Sequence, residues 1–579
     1  MGGIFGFYCK SPRRLLDIKA GLQRLVYRGY DGAGVAYLEG GELKVVKAVG
    51  GVDALAVPDI STVAALGHTR YASRGRKTLE NTHPLLDCKG EVAVVLDGII
   101  DDYEAIRERL ASARHKLRST TDAEVIPHLL ESEPPAEAAK IRGVYAFAAL
   151  AKDGRMFAVQ MGQPLVVALA GDCVFISSDV PSLYGFAEEA YVVPDGSLVE
   201  LGPGNFNAVD ISTGAPAQLA RKRVREVQFA DKAGYPHFML KEIYEVPEVL
   251  LRSKAALMEK YLRLASMILH GAKSVYVIGN GTSLHAGMVA SYYFADVGLG
   301  VSVVSAAEFP YYALENVGTG TVVLAISQSG ETSDVIKSIR LAKRQGAVIV
   351  GVTNSVSSRL AIESNVYLPI TAGPEMAVPA TKTFAATLET LLILAYYVGL
   401  YTGRRRAEDL RGLYERIDAL AAKLRSAMPG LEKAAEMAAA RLARRESVYV
   451  AGSGIIYPVA LEAALKLKEA ALVHAEGVQM GELLHGPLVM GARGFAAIFL
   501  KPLEGGAAEL YGRARKMALE RGLDVLSVGF GEDLEIAEAD RELAPISYAV
   551  ALQLLAYKTG VARGAPIDTP PGLVKAVVY

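Results

Sequence analysis

"VYVIGNG" at residues 275–281 returns as "VYVAGSG" at residues 448–454, an offset of 173 residues. Each copy is a run of β-branched and apolar residues that ends in a glycine turn and leads into a helical pattern. A continuously apolar strand is buried on both faces, as in parallel sheets covered by helices. Around the first copy the same style recurs in "VSVVSA", "TVVLAISQSG" and "AVIVGVTNS", with helical segments between them. The repeat predicts two copies of one α/β domain in the back of the chain.

Residues 1–200 read differently. "GELKVVKAVGG", "EVAVVLDGII", "YAFAALAKDGRMFAV" and "CVFISSD" are short strand-like runs bounded by Gly and Asp, with helical stretches such as "DYEAIRERLASA" and "AEVIPHLLES" among them. This mixture predicts stacked layers of sheet and helix. Turn residues crowd 201–235, so a linker is expected there. The expected domains are 1–215, a linker over 216–240, α/β copies over 241–405 and 406–565, and a tail over 566–579.

A chain of 579 residues is too long for one core. Hydrophobic residues at 51% and charged residues at 22% define a globular protein. Lys and Arg number 62 against 63 Asp and Glu, with no long basic run, so no nucleic-acid partner is indicated. "YTGRRR" at 401–406 reads as a solvated helix end. Three cysteines, Cys9, Cys88 and Cys173, show no metal-type spacing. The expectation is therefore no disulfide framework, no metal or other cofactor, and a reducing cytoplasm. No secretory leader pattern opens the chain. "LETLLILAYYVGLY" falls short of a membrane span and carries a Glu, which predicts a buried helix and no membrane partner.

Two turns carry the signs of a phosphate site. In "VLAISQSGETSDVIKSIRLAK" at 323–343 a strand ends at Ser327, and Gln328, Ser329, Gly330, Glu331 and Thr332 lead into an amphipathic helix. Helix N-termini present backbone N–H groups and the positive end of the dipole to an anion, and hydroxyls add donors. An ordinary N-cap explains the same residues. "GNGTSLHAG" at 279–287 is a second such turn, and both fall at strand carboxyl ends, where open α/β sheets bind ligands. Neither is a P-loop or a dinucleotide fingerprint.

The second copy holds the ionisable groups Lys466, Glu469, Glu476, Glu482 and His485. Lys466 and Glu469 are three apart on one helix face, which fits a surface ion pair or the border of a cleft. His485 lies on a turn before Gly486-Pro487, where a lone His is more often structural than catalytic.

Together the motifs resemble the glucosamine-6-phosphate synthase family, the isomerizing glutamine–fructose-6-phosphate aminotransferases. "YRGYDGAG", "GHTRYASRG", "NTHP", "HFMLKEIYE", "GNGTS", "SQSGET", "ALKLKEAALVHAE", "GELLHGPL" and "PPGLVKAVVY" stand in the family's order along nearly the whole chain. The resemblance implies an N-terminal-nucleophile-type αββα glutaminase-like domain followed by two SIS (sugar isomerase) α/β/α domains with parallel sheets. It implies that Thr282, Ser283, Ser327, Gln328, Ser329 and Thr332 hold fructose 6-phosphate and that Val378 lines the sugar site. It gives Glu469 the proton transfer between C1 and C2, His485 the ring opening, Lys575 the Schiff base, and Lys466 an electrostatic role beside them. It also implies a homodimer. One departure in this half is Ala380 before Thr381-Lys382, where the family usually has Ser.

The front half departs further. The family's nucleophile is a cysteine directly after Met1, and here that place is Gly2. Cys9 lies seven residues on, roughly 23 Å along a strand at ~3.3 Å per residue, too far to stand in. Asp97 precedes Gly98 where the family has an oxyanion-hole Asn. A carboxylate offers acceptors and no donor. Arg74 and Tyr71 replace a His and a Trp of the family pattern. Arg70 and Asp122 match the residues that grip the carboxylate and amino group of glutamine. The expectation is a sugar-aminating enzyme whose glutaminase half is inactive, fed by free ammonia or a separate ammonia donor. A phosphosugar isomerase, a deaminase and a non-catalytic sugar-phosphate sensor are the alternatives.

Overall fold

The computed structural model describes residues 2–72, 74–224, 232–356 and 358–573. They form two compact units that part near residue 230.

The front unit contains an eight-stranded and a six-stranded sheet, both antiparallel throughout. Strands β1 (Gly2–Arg14), β2 (Ser61–Arg70) and β5 (Cys173–Ser177) belong to the first; β3 (Val92–Ile100) and β4 (Gly143–Ala151) belong to the second. The layering follows from the two-residue alternation of strands. Ile4 and Leu66 face inward and share one core with Val95, Ala146 and Ala148 of the other sheet. Phe5 and Phe7, one step out of phase, pack outward with Ile18 and Leu22 of helix α1 (Leu16–Gln23). Leu96 and Phe147 pack outward on the far side with Ile106 and Leu110 of α2 (Tyr103–Ser112) and Ile126 of α3 (Val125–Leu129). The result is the expected αββα stack.

The expectation about cysteines fails here. Cys9 and Cys173 are directly opposed in the β1–β5 ladder and form a disulfide. A separation of 164 residues hides the pair in sequence, while antiparallel register makes them neighbours. Cysteine count therefore gives no ground for a reducing compartment, and Cys9 has no free thiol to offer as a nucleophile.

The back unit contains two parallel sheets. The first runs in the order β7–β6–β8–β9–β10, with β6 (Ser274–Gly279), β7 (Ser302–Ser305), β8 (Thr321–Ile326), β9 (Val348–Thr353) and β10 (Val366–Pro369). The second runs β12–β11–β13–β14, with β11 (Ser447–Gly452), β12 (His474–Gln479), β13 (Ala496–Leu500) and β14 (Asp524–Val528). The strand that opens each sheet is the one carrying the repeated heptapeptide. In both, strand order reverses beside it, between β6 and β8 and between β11 and β13, the switch point at which ligands enter such sheets.

One apolar core runs through both copies. Val277, Leu324 and Leu391 share it with Val450, Leu467 and Leu555. The segment expected to be a buried helix lies in α6 (Lys382–Thr402). At 21 residues it is long and apolar enough to cross a membrane, but 94% of its apolar window is buried in the unit. It is a core helix, apolar on all sides because it is covered on all sides.

Candidate functional site

The back-unit site starts at two strand ends. Helix α4 (Thr282–Asp296) follows β6 after the turn Asn280-Gly281, and α5 (Ser333–Arg344) follows β8 after the turn 327–332. Because β6 and β8 are paired, the two turns are neighbours, and Asn280 Nδ2 donates to Asp334 Oδ2 at 2.9 Å across them. The second turn is tightly specified. Gly330 has φ +68°, and a Cβ there would sit 2.0 Å from Ser358 Oγ, so both backbone and space demand glycine. Its N–H donates to Ser327 Oγ at 3.1 Å, while Ser329 Oγ accepts from the Glu331 N–H at 3.1 Å. Arg359 Nε grips Glu331 Oε2 at 2.6 Å and holds the outer edge of the turn. Thr332 occupies the N-cap position but its side chain makes no capping bond; its hydroxyl lies 3.0 Å from that of Ser327. The hydroxyls thus face one another across the turn and not the helix backbone. Ser283 stands in the first turn of α4, its N–H donating to Asn280 O at 3.1 Å, and the Gln328 carbonyl accepts from Asn354 N–H at 3.0 Å.

From α7 (Tyr457–Ala471) of the second copy the ionisable groups reach the first turn. Thr282 Oγ1 donates to Glu462 Oε1 at 2.9 Å, and Lys466 Nζ donates to Thr282 Oγ1 at 3.2 Å. Lys466 also pairs with Glu462 at 3.3 Å and Glu469 at 2.5 Å. His285 Nδ1 lies 2.7 Å from Glu462 Oε2. Lys466 is 1% exposed, so the pair with Glu469 is a buried one and not a surface pair. Burial alone would lower the Lys466 ammonium, but the charges of Glu462 and Glu469 outweigh it and hold its pKa above the usual range. Burial would raise Glu462; Lys466, His285 and Thr282 outweigh that and hold it below the usual carboxylate range. The ammonium charge is thereby committed to two carboxylates. Lys466 fixes Glu469 and Thr282 in place.

Glu462 was not foreseen from the sequence. Its signal was present: it precedes Lys466 by four residues on the same helix face and sits among Ala and Leu, where a carboxylate needs a partner. His485 is not brought into this network. It stands exposed on the turn after Met480–Leu483, with its N–H donating to Glu482 O at 2.9 Å. Val378 N–H donates to Asp568 O at 2.9 Å, which seats the start of the tail beside it. Lys575 lies outside the described residues. At the Ala380 departure, the Thr381 N–H donates to Glu375 Oε1 at 2.9 Å and Lys382 Nζ reaches Glu245 Oε2 at 2.5 Å, so both following residues are used internally.

In the front unit Gly2 opens β1 and is paired with Arg70 of β2. A Cβ at Gly2 would lie 1.8 Å from the Thr69 carbonyl oxygen and 2.6 Å from two atoms of the His68 ring. The place of the expected nucleophile has no room for a side chain in this backbone. Asp97 on β3 is buried; Oδ1 accepts from the Gly2 N–H at 2.9 Å and Oδ2 pairs with Arg28 Nη2 at 2.6 Å, while Arg28 Nε donates to Gly2 O at 3.1 Å. Burial would raise the Asp97 carboxyl, but Arg28 and the Gly2 N–H outweigh it and hold it below the usual range. Its carboxylate acts only as an acceptor, toward the Gly2 N–H and Arg28. Gly98 follows, opposite Tyr145 of β4.

His68 is fully buried and stacks on His83 with ring centroids 4.4 Å apart. Burial, with nearby positive charge, pushes His68 down to about 3, so its ring is neutral near pH 7. Arg70 and Asp122, the two residues expected to meet glutamine, make internal bonds. Arg70 Nη1 donates to Arg76 O at 3.1 Å and Nη2 to Arg74 O at 2.7 Å. Asp122 Oδ2 accepts from the Ile100 N–H at 2.9 Å. Arg74 lies over the Tyr103 ring at 4.5 Å, and Tyr71 meets Tyr30 at 6.3 Å.

The sequence shows no metal-type spacing, yet the fold gathers four groups that could hold an ion. Cys88, His115, His128 and Glu131 bring one ligand atom each within 4.8 Å of one another. Their spacing shows no motif because the fold, not a single segment, assembles them.

An amidotransferase-type αββα unit joined to a doubled phosphosugar-type α/β unit defines the class. A glutamine amidotransferase domain model matches residues 68–185, and a SIS domain model matches 268–397 and 441–557. The chain is 35% identical over 608 aligned residues to the glutamine–fructose-6-phosphate aminotransferase (isomerizing) of Pyrobaculum aerophilum, and 34% identical over 605 to that of Aquifex aeolicus; each alignment spans the whole of both chains. The C-terminal domain of glucosamine-fructose-6-phosphate aminotransferase from Francisella tularensis superposes with a TM-score of 0.55 at 29% identity, covering 59% of this chain and all of that one. This chain belongs to the isomerizing glutamine–fructose-6-phosphate aminotransferase family.

Proposed function

We propose that the protein converts fructose 6-phosphate and ammonia to glucosamine 6-phosphate and water, and that it does not draw the ammonia from glutamine. The carrying observation is the pairing of an assembled sugar-side network, Thr282–Lys466–Glu469 beside the 327–332 turn, with a Gly2 site that admits no side chain.

The sugar phosphate would sit against the hydroxyl-rich turns at the N-termini of α4 and α5, where the helix dipoles favour an anion. Lys575 would form an imine with the C2 carbonyl. Ammonia would displace the lysine, leaving the C2 imine of the sugar. Glu469 would then take a proton from C1 and return it to C2, while the O1 hydroxyl proton passes to the imine nitrogen, which leaves an aldehyde at C1 and an amine at C2. Its fixed pairing with Lys466 supports this, since a base that serves two adjacent carbons must keep its position between steps. His485 would open the sugar ring, and its exposed place fits a site completed in a homodimer. A charged sugar phosphate does not cross a membrane unaided, which supports a cytoplasmic location.

The test is hexosamine phosphate formation assayed with ammonium and, separately, with glutamine. Turnover with ammonium alone is expected. Glutamine-dependent turnover by the pure protein would overturn the donor assignment. Conversion of fructose 6-phosphate to an aldose phosphate without nitrogen would replace amination by simple isomerization.

A further inference from the structure

Cys88 lies in the turn between strand Leu85–Leu86 and β3, His115 follows α2, and His128 and Glu131 lie in and just beyond α3. Cys88 Sγ is 3.5 Å from His115 Nδ1 and 3.4 Å from His128 Nδ1. Glu131 Oε1 is 3.3 Å from His115 Nδ1 and 2.9 Å from His128 Nδ1. Metal–sulfur bonds of ~2.3 Å and metal–nitrogen or metal–oxygen bonds of ~2.0–2.1 Å at tetrahedral angles give S···N edges of ~3.5 Å and N···O edges of ~3.3 Å. Three of the four distances match such edges closely.

Pairwise hydrogen bonding satisfies this group poorly. Each Nδ1 carries either one proton or one lone pair, yet each faces both a sulfur and a carboxylate oxygen. A single cation satisfies all four atoms at once. One backbone contact suits a bound sulfur: the Lys116 N–H donates to Cys88 Sγ at 3.4 Å, the kind of outer contact that steadies a metal-bound thiolate. The Cys88 N–H donates to Glu131 Oε1 at 2.9 Å and orients the carboxylate. Helix α2 ends with Arg114 at φ +68°, its N–H on Ala111 O and the His115 N–H on Leu110 O, a left-handed turn that swings His115 back toward Cys88. His128 is buried and Glu131 closes the outer side.

We propose that Cys88, His115, His128 and Glu131 bind one zinc ion in a closed, structural tetrahedral site. The mixed S, N, N, O donor set suits zinc, and four protein ligands leave no open position for chemistry. Binding displaces the Cys88 thiol proton to solvent. The ion ties the turn after Leu86 to the segment 115–131, which carries Asp122 and so one wall of the glutamine-site remnant.

The full chain is dialysed against a chelator and titrated with zinc against a chromophoric competitor, then with cobalt(II). About one zinc per chain is expected, and cobalt should give the intense visible bands of tetrahedral coordination with a near-ultraviolet thiolate charge-transfer band. Cys88→Ser should abolish the charge-transfer band, and His115→Gln should weaken zinc binding at least ~10-fold. The wild-type cobalt spectrum does not depend on whether either variant folds. Substoichiometric zinc, a six-coordinate cobalt spectrum, or a folded Cys88→Ser variant that binds zinc as tightly as wild type would overturn the site.

Discussion

Gly2→Ala adds one carbon where β1 lies against β2. The added Cβ would stand 1.8 Å from the Thr69 carbonyl oxygen. A normal carbon–oxygen contact is well over 3 Å, so the strand must move by more than an ångström to accommodate it. Removing the His68 ring gives no relief, because the closest atom is backbone. Overpacking in a well-packed interior costs ~1–3 kcal/mol. Displacing a ladder carbonyl, together with the Gly2 N–H bond to Asp97, places this case near ~3 kcal/mol. For a unit of this size each kcal/mol lowers the melting temperature by ~2–4 °C. Gly2→Ala and Gly2→Cys should therefore lower the unfolding temperature of the front unit by ~6–12 °C, read by calorimetry of the full chain with hydrogen exchange at β1 and β2 to assign the transition. Gly2→Cys should also release no more glutamate from glutamine than wild type, because Asp97 still supplies no oxyanion donor, a deficit of ~10²–10³ by itself. A Gly2→Cys protein that melts at the wild-type temperature and hydrolyses glutamine would refute the reasoning.

Lys466→Met should leave Glu462 buried without its cation and destabilise the back unit by ~3–5 kcal/mol in urea unfolding. Glu469→Gln should keep the fold and lower amination by ~10²–10⁴ in steady-state assays. Gly330→Ala forces a Cβ onto Ser358 at a left-handed position; a strain of ~1–3 kcal/mol should appear as a raised KM for the sugar phosphate. Asp97 and Glu462 are both held below their ordinary values. Their contribution to stability is complete above the ordinary carboxylate range of about 4 and is lost as pH falls through the lowered folded values, so urea midpoints should fall on acidification below about pH 5 and stay flat between about 6 and 8.

The sequence by itself determined the layers, the doubled α/β plan and the two glycine turns at strand ends, because strand alternation, continuous apolar runs and glycine turns are local consequences of side-chain pattern. It also located Lys466 and Glu469, which share a helix face three residues apart. Only the tertiary structure decided what depends on distant segments meeting. The Cys9–Cys173 bond came from antiparallel register, and the Cys88–His115–His128–Glu131 cluster from a turn, a helix end and a second helix converging. Glu462 gained its meaning from Thr282 and His285, some 180 residues away. The sequence told that Gly2 lacks a thiol; the packing of Thr69 against it told that the site has no room for one. Pattern fixes which face a residue presents, and tertiary structure alone fixes which remote residue faces it.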